Sequence, residues 1–206
     1  MKLVFATANK GKLREAREIL GPAVELVSPA DLGVFDDVPE TGTTLEQNSL
    51  QKALAYKELC GCDCFADDTG LEVDALGGAP GVHAARFAVD IARRDGLPLP
   101  ADHDFSANVD ALLRELSKHP GEPRTARFRS VVTLLLDGET RTFKGILEGS
   151  IAMQRSGSGG FGYDPVFIAN EYPGRSVAEL PDGTKNTISH RGKALRAMAR
   201  WLQERK

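Results

Sequence analysis

The sequence lacks a large charge excess of either sign and lacks a long uninterrupted apolar run. Its 206 residues include 26 lysines and arginines and 29 aspartates and glutamates, which gives a formal net charge of −3. Proteins that cover a nucleic-acid backbone usually carry a basic excess, so we expect no nucleic-acid partner. No apolar run approaches the roughly 18 residues that a membrane-spanning helix needs, so we expect no membrane partner either.

Cysteine is also scarce. The three cysteines, Cys60, Cys62 and Cys64, stand close together in the chain. An odd, clustered set predicts reduced thiols rather than a disulfide framework. A zinc site would need a fourth ligand, which no Cys-x-x-Cys spacing or nearby histidine supplies. Polar residues at Asn9 and Lys10 come too early for the apolar core of a signal peptide, and we therefore expect a cytoplasmic protein.

The apolar pattern alternates between the periods of strands and helices. Residues 2–8 predict a short buried strand, and residues 10–20 predict an amphipathic helix. An Asp-Gly pair between two alternating segments, 126–136 and 140–153, is a strong hairpin signal. Residues 189–204 predict a final helix. Because helices and strands alternate early and a hairpin comes late, we expect an α/β fold with a mixed sheet.

Other elements are marked by weaker patterns. Thr43 and Glu46 fit a capping box that would start a helix ending near Gly61. The remaining predictions are a strand that ends near Asp67, a loop at 76–81, a surface excursion at 90–104, a helix at 107–118 and a short strand at 166–168.

Residues 7–12, TANKGK, follow the first predicted strand and open the first helix. The N-terminus of a helix offers free N–H groups and the positive end of the helix dipole, which suits phosphate. Two lysines and a glycine strengthen this interpretation, although the P-loop spacing is absent. A solvated helix start without a ligand is the alternative.

Residues 67–70, DDTG, place two adjacent carboxylates at the predicted end of a strand. Such a pair is costly unless it binds a cation or a proton. Magnesium takes a few carboxylates together with water and substrate phosphates, and a nearby carboxylate can act as a general base toward water. A turn in which Asp68 bonds its own backbone is the alternative. The triplet also matches the aspartic-protease motif, which nothing else in the chain supports.

Residues 157–162, GSGGFG, match the G-x-G-x-x-G pattern of dinucleotide-binding proteins. That fingerprint must open a helix, whereas Pro165 disfavours helix at Asp164. We therefore interpret the segment as a flexible loop that presents Phe161 to a flat ring. A plain turn with Phe161 in the core is the alternative.

Five motifs follow one another over nearly the whole chain with compatible spacing. They are TANKGKLREAREIL (7–20), PETGTTLEQNSLQKA (39–53), ADDTGLEVDALGGAPGVHAARFA (66–88), GSGGFGYDPVF (157–167) and SHRGKAL (189–195). Together they resemble the inosine triphosphate pyrophosphatase family, and the bacterial branch most closely. The resemblance implies a single domain over residues 1–206, with an elongated, twisted mixed sheet flanked by helices, two lobes around a central cleft, and assembly as a homodimer.

The same resemblance implies a magnesium-dependent hydrolase that converts inosine, deoxyinosine and xanthosine triphosphates to the monophosphate and pyrophosphate, and so removes deaminated purines from the nucleotide pool. It implies Glu40 and Asp68 as magnesium ligands, with Asp68 also as the catalytic proton acceptor. The implied triphosphate contacts are Thr7, Ala8, Asn9, Lys10, Gly11, Lys12 and Lys52, and Thr69 is implied to touch the substrate. The implied base pocket consists of Phe161, Gly162, Tyr163, Asp164, Lys185, His190 and Arg191.

Lys185, His190 and Arg191 lie near the start of the last predicted helix, where they are either donors toward a ligand or exposed cations. Lysine and arginine only donate hydrogen bonds, and histidine can donate. Around the 6-position of a purine they would pair with the oxo group of hypoxanthine or xanthine and oppose the amino group of adenine. A site built on such pairing rejects a mismatch because buried donors would be left unpaired. The exclusion of guanine, which also carries a 6-oxo group, does not follow from these residues.

Two departures from the family pattern are visible. Residues 89–105 form a longer segment than usual, which affects contacts at the rim of the site, and Thr69 replaces a common serine but keeps the hydroxyl. Two other functions stay open: a related enzyme that prefers modified pyrimidine triphosphates, and a nucleotide-binding regulator without catalysis.

Overall fold

The computed structural model describes residues 1–205, which divide into two compact units. Unit 1 contains Met1–Thr69, Ser130–Ile146 and the chain from Ser189 onward, and unit 2 contains Gly70–Arg129 and Leu147–Ile188. The prediction of one domain over residues 1–206 includes Lys206, which lies outside the described residues, and it stays a prediction.

The described residues contain six α-helices and seven strands. They are β1 (Lys2–Phe5), α1 (Lys10–Leu20), β2 (Glu25–Val27), α2 (Leu45–Cys60), β3 (Cys64–Val73), β4 (Pro80–Gly81), α3 (Phe87–Asp95), α4 (Phe105–Ser117), β5 (Thr125–Leu136), β6 (Glu139–Ile151), β7 (Phe167–Ala169), α5 (Asp182–Ile188) and α6 (His190–Glu204). None of these helices, over residues 1–205, is long and apolar enough to cross a membrane.

The strands hydrogen-bond in the order β2-β1-β3-β5-β6-β7, and β4 pairs with β3. Strand β1 runs parallel to β2 and to β3, whereas the β3–β4 and β6–β7 pairs are antiparallel. The sheet is therefore mixed, and helices pack against it in both units. This confirms the predicted α/β class.

In unit 1, helices cover both faces of the strands. Leu3 and Phe5 of β1 and Phe65 of β3 pack with α1 and α6, whereas Val4 of β1 and Cys64 of β3 pack with α2. Successive side chains along a strand point to opposite faces of the sheet. An odd or even position in β3 therefore decides which helices a residue meets.

Unit 2 has a core of its own. Leu71 and Val73 from β3, Leu112 from α4, and Phe128 and Phe167 from β5 and β7 are buried together. The Phe128 and Phe167 rings lie with their centroids 4.6 Å apart. This core explains why the predicted end of β3 near Asp67 is wrong, because the strand continues to Val73 to bury its second apolar half.

Two predicted loops are also partly wrong. The segment 76–81 contains β4, which pairs with β3 through Pro80 and Gly81. The segment 90–104 begins inside α3, whose buried residues include Ile91 and Ala92. In both places burial against the core of unit 2 overrides the local glycine, proline and charge pattern.

The start of α2 lies one residue later than predicted. Thr44 is the N-cap, and its side chain accepts a hydrogen bond from the backbone N–H of Gln47 at 3.1 Å. The Gln47 side chain in turn accepts from the N–H of Thr43 at 2.8 Å. Glu46, predicted to reach back, instead pairs with Lys144 at 2.7 Å.

Candidate active site

Strand β3 carries Asp67 and Asp68 to opposite faces of unit 1. Both residues are buried: Asp67 is 1% exposed and Asp68 is 8% exposed. Asp67 shares its face with Phe65 and meets α1 and α6, whereas Asp68 shares its face with Cys64 and meets α2. The adjacent carboxylates therefore occupy two different environments.

Asp67 lies within a buried network of four charged side chains. It accepts hydrogen bonds from Lys12 Nζ at 3.0 Å and from Arg191 Nε at 2.9 Å. Arg191 also donates from Nη1 to Glu15 at 3.1 Å, and Ser189 donates to the other Glu15 oxygen at 3.0 Å. The two cations, Lys12 and Arg191, are thus neutralised by the two anions, Asp67 and Glu15.

The electrostatics of this network keep Asp67 ionised. Burial alone would raise the pKa of Asp67, but the charges of Lys12 and Arg191 outweigh it and hold that pKa well below its ordinary value. Burial lowers the pKa of Lys12 despite the nearby Asp67. For Arg191, burial is outweighed by Asp67 and Glu15, so its pKa is raised. Asp67 is a fixed negative charge that positions two cations.

Asp68, in contrast to Asp67, is incompletely hydrogen-bonded and has a raised pKa. Its Oδ1 accepts from the backbone N–H of Thr69 at 2.9 Å, but its buried Oδ2 has no hydrogen-bond partner among the described residues. Burial, followed by the negative charge of Glu40, raises the pKa of Asp68 to about 6, whereas Lys52, the Asn48 amide and the Thr69 N–H act in the opposite direction. A buried, unsatisfied carboxylate oxygen needs either a proton or a cation.

Glu40 lies in a loop that α2 holds in place. The Asn48 side-chain oxygen accepts from the N–H of Gly42 at 2.7 Å, and Gln51 accepts from the N–H of Thr41 at 3.2 Å. A Cβ at Gly42 would lie 2.7 Å from that Asn48 oxygen, so the loop requires glycine there. These contacts hold Thr41 and Gly42, the two residues after Glu40, against the helix that faces Asp68.

Lys52 of α2 pairs with Glu40 and lies close to both aspartates. Burial would lower the pKa of Lys52, but the negative charges of Asp67 and Glu40 outweigh it and the pKa is raised. Its ammonium group is therefore positive beside the two carboxylates of Glu40 and Asp68.

Glu40 and Asp68 fit a magnesium ion as ligands. One buried Asp68 oxygen lacks a donor, and Glu40 supplies a second carboxylate near it. Across residues 1–205, no group of three or more His, Cys, Asp or Glu side chains could hold a metal. Magnesium suits such a site because it usually takes one or two carboxylates and completes its shell with water and phosphate oxygens.

The predicted phosphate loop opens α1 as expected. Asn9 is the N-cap, and its side chain accepts from the backbone N–H groups of Gly11 at 2.9 Å and Lys12 at 3.1 Å. Thr7 accepts from the N–H of Asn9 at 3.1 Å. Residues 8–11 are exposed, so the loop is held in shape by its own side chains and remains accessible.

Unit 2 holds the predicted aromatic residue and its lysine. Phe161 is 53% exposed, which excludes the alternative that it lies in the core. Lys185 pairs with Asp164, and its ammonium lies 5.2 Å from the centroid of the Phe161 ring. Asp164 also accepts from the N–H of Phe161 at 2.9 Å. Tyr163 is buried, and its hydroxyl donates to the carbonyl of Ala84 at 2.7 Å, which anchors the loop.

Glycines in segment 157–162 allow the backbone conformation of this loop. Gly160 and Gly162 have φ of 75° and 64°, in the left-handed region that favours glycine. A Cβ at Gly160 would also lie 2.2 Å from the Asp164 carboxylate. The segment opens no helix, in agreement with the rejection of a dinucleotide fingerprint.

The predicted site residues therefore fall into two sets. Unit 1 brings together the α1 loop, Glu40, Lys52, Asp68 and Thr69, and it also contains the start of α6, whereas unit 2 contains 161–164 and Lys185. His190 and Arg191, predicted with the base pocket, belong to unit 1, where Arg191 is committed to Asp67 and Glu15.

Sequence reasoning placed Asp67 in one acidic site with Asp68 and missed Glu15 and Asn48. Glu15 could have been found, because it lies three residues after Lys12 and so on the same face of α1. The face of β3 on which Asp67 lies could also have been predicted, because side chains alternate along a strand and Asp67 is two residues after the buried Phe65. No local pattern marks Asn48.

The fold and these side chains define an α/β protein with two neighbouring carboxylates, Glu40 and Asp68, and a lysine-bearing helix start suited to phosphate. Residues 3–201 match the model of the Ham1 family, and the chain belongs to that family. It is 48% identical over 201 residues to the dITP/XTP pyrophosphatase of Porphyromonas gingivalis, covering 98% of this chain and 97% of that protein. It is 43% identical over 204 residues to the dITP/XTP pyrophosphatase of Christiangramia forsetii, covering 99% and 100%. The structure of the Staphylococcus aureus Ham1 protein matches with a TM-score of 0.86 and 33% identity, covering 100% of each chain. These matches confirm the resemblance inferred from the sequence.

Proposed function

We propose that this chain hydrolyses dITP, ITP and XTP to the nucleoside monophosphate and pyrophosphate, and so removes deaminated purines from the nucleotide pool. The observation that carries the proposal is the buried Asp68 oxygen without a partner, beside Glu40. It occurs in a chain whose curated relatives are named dITP/XTP pyrophosphatase.

We infer that the reaction depends on magnesium held by Glu40 and Asp68. Glu40 pairs with Lys52, so it becomes free for a cation when Lys52 turns to another anion. A triphosphate is such an anion, which couples the binding of metal and substrate at this place. The cation would offset the negative charge of the phosphates and of the leaving pyrophosphate.

The residues of the chain account for the chemical step. Oδ2 of Asp68 accepts a proton from a water molecule, and the water oxygen forms a bond to the α-phosphorus. The bond between the α-phosphorus and the bridging oxygen breaks, and pyrophosphate leaves. Lys12 and Lys52 bind the phosphate oxygens and stabilise the charge that develops on them. Without a bound cation the pKa of Asp68 is raised to about 6, so Asp68 is already mostly ionised at neutral pH.

In this proposal, Phe161, Asp164 and Lys185 of unit 2 recognise the base. Phe161 presents an exposed ring that stacks on the purine. Lys185, oriented by Asp164, donates to the 6-oxo group. The 6-amino group of adenine would instead place a donor against a donor.

We also propose a cytoplasmic homodimer that acts on free nucleotides and has no nucleic-acid or membrane partner. Light scattering coupled to size-exclusion chromatography should give twice the 22.2 kDa mass of the chain. A monomer at all concentrations would contradict the proposed assembly.

Pyrophosphate release across a nucleotide panel tests the proposed activity. The purified protein is mixed with dITP, XTP, dATP, dGTP and modified pyrimidine triphosphates, with magnesium and with a chelator. We expect release from dITP and XTP in the presence of magnesium and little from dATP. Preference for the pyrimidines would identify the related pyrimidine enzyme, and no release from any nucleotide would favour a regulator.

A further inference from the structure

We propose that Phe105, at the start of α4, is a positioning residue that orients Phe161 for contact with the purine base. The inference rests on the proposed function, because it assigns a role within base recognition. Phe105 is the last residue of the long segment 89–105, in which this chain departs from the usual family pattern.

The two phenylalanine rings are in direct contact within unit 2. Their centroids lie 6.0 Å apart with an angle of 68° between the ring planes, which is an edge-to-face arrangement. Both residues are exposed, Phe105 by 44% and Phe161 by 53%. Single exposed apolar residues are common, but this pair forms an exposed aromatic surface beside the Lys185–Asp164 ion pair.

A second contact ties the same loop to the same helix turn. Arg155 donates from Nη1 to the Ser106 hydroxyl at 3.0 Å and from Nη2 to the Ser106 carbonyl at 2.6 Å. It also donates to Asp110 at 2.8 Å. The first turn of α4 is itself capped by Asp104, which accepts from the N–H of Ala107 at 2.9 Å. Phe105 therefore lies in a helix turn whose backbone is held in place by Asp104 and Arg155.

These contacts restrict the Phe161 ring before any ligand binds. Phe105 contacts the ring, the Lys185 ammonium lies 5.2 Å from its centroid, and Asp164 binds its backbone N–H. A side chain that is already ordered loses less conformational entropy on binding. Removing Phe105 should therefore weaken binding of the base and leave the phosphate chemistry intact.

Steady-state kinetics with dITP test this role. Phe105→Ala should raise KM about two- to twelvefold, the range that corresponds to the usual strength of one aromatic pair, with kcat close to wild type. Phe105→Tyr keeps the ring and should restore the wild-type KM. Tyr172→Ala removes another partly exposed ring from unit 2 and serves as the matched control. Inhibition by inorganic tripolyphosphate, which has no base, should be the same in Phe105→Ala and wild type.

A double-mutant cycle shows whether Phe105 acts through Phe161. In a Phe161→Ala background, Phe105→Ala should produce no further rise in KM. An unchanged KM in Phe105→Ala, or a parallel loss of tripolyphosphate inhibition, would overturn the inference. If Phe105→Ala does not fold, Phe105→Leu keeps apolar bulk without a ring and should show the same rise in KM. A wild-type protein that does not hydrolyse dITP refutes the proposed function instead, so the two failures are distinct.

Discussion

Asp67 and Asp68 are neighbours in β3, yet Asp67 binds cations from α1 and α6 while Asp68 faces α2. The first carboxylate is fully paired and has a pKa well below its ordinary value, and the second has an unsatisfied oxygen and a pKa of about 6. When two neighbouring carboxylates have pKa values shifted in opposite directions, they usually have different roles in a site. Here Asp67 is paired with Lys12 and Arg191, and Asp68 is the residue for which we propose the roles of metal ligand and proton acceptor.

Asp67→Asn should destabilise the protein, because it leaves Lys12 and Arg191 buried with one anion fewer. Removing one partner of a buried ion pair typically costs about 3–5 kcal/mol of unfolding free energy. Urea unfolding followed by circular dichroism measures this cost. Asp63→Asn removes the partner of Lys57 in a partly exposed pair, and it should cost less than about 1 kcal/mol. Equal effects of the two substitutions would argue against the buried network.

Asp68→Asn should abolish most activity without loss of stability. A general base contributes about 10²- to 10⁴-fold to a rate, so kcat for dITP should fall by at least the lower figure. Because burial and Glu40 disfavour the Asp68 charge, an uncharged amide should leave the free energy of unfolding at pH 7.5 equal to wild type or higher. Near-wild-type kcat, or strong destabilisation, would contradict the assigned role.

Magnesium should stabilise the wild-type protein when inorganic tripolyphosphate is present, because that anion can draw Lys52 away from Glu40. A ligand that binds only the folded state adds about 2.7 kcal/mol when its concentration is 100 times Kd, which raises the melting temperature. Glu40→Gln and Asp68→Asn should each remove this shift, and Glu72→Gln, which alters a carboxylate paired with Arg129 outside the site, should preserve it. A shift that persists in both site variants would place the cation elsewhere.

Gly145→Ala should disturb the start of α6. A Cβ at Gly145 would lie 1.9 Å from the carbonyl oxygen of His190 and 2.7 Å from the N of Ala194, so β6 and the helix backbone would have to separate. Overpacking of this kind costs about 1–3 kcal/mol or more, and kcat should fall because the same turn carries Arg191. In contrast, Gly183→Ala in α5 meets nothing within 4 Å and should be neutral in both assays. Thermal melts and kinetics of the two variants give the comparison.

The elements with strong local signals could be predicted from the sequence. Helix α1 has the predicted bounds, and the β5–β6 hairpin turns at the predicted Asp-Gly pair, because periodicity and turn chemistry agree there. Helix α5, strand β4 and the second half of β3 could not be predicted in this way. Their bounds depend on packing in the core of unit 2, which brings together residues far apart in the chain.

The motif residues were easier to find than their partners. Glu40, Lys52 and Asp68 stand in motifs that the resemblance identifies, but the pairing of Lys52 with Glu40 is a tertiary contact. The interpretation of residues 67–70 as one acidic site placed both carboxylates together, because it assumed that the strand ended at Asp67. Since β3 continues to Val73, alternation along the strand separates them. The contact of Phe105 with Phe161 joins positions 56 residues apart and has no local signal.

Hydrolysis of dITP in ¹⁸O-labelled water shows which phosphorus atom the water attacks. If water attacks the α-phosphorus, we expect one pyrophosphate and one dIMP per dITP consumed, with the label in the phosphate of dIMP. Label in pyrophosphate, or formation of dIDP and inorganic phosphate, would contradict attack at this atom.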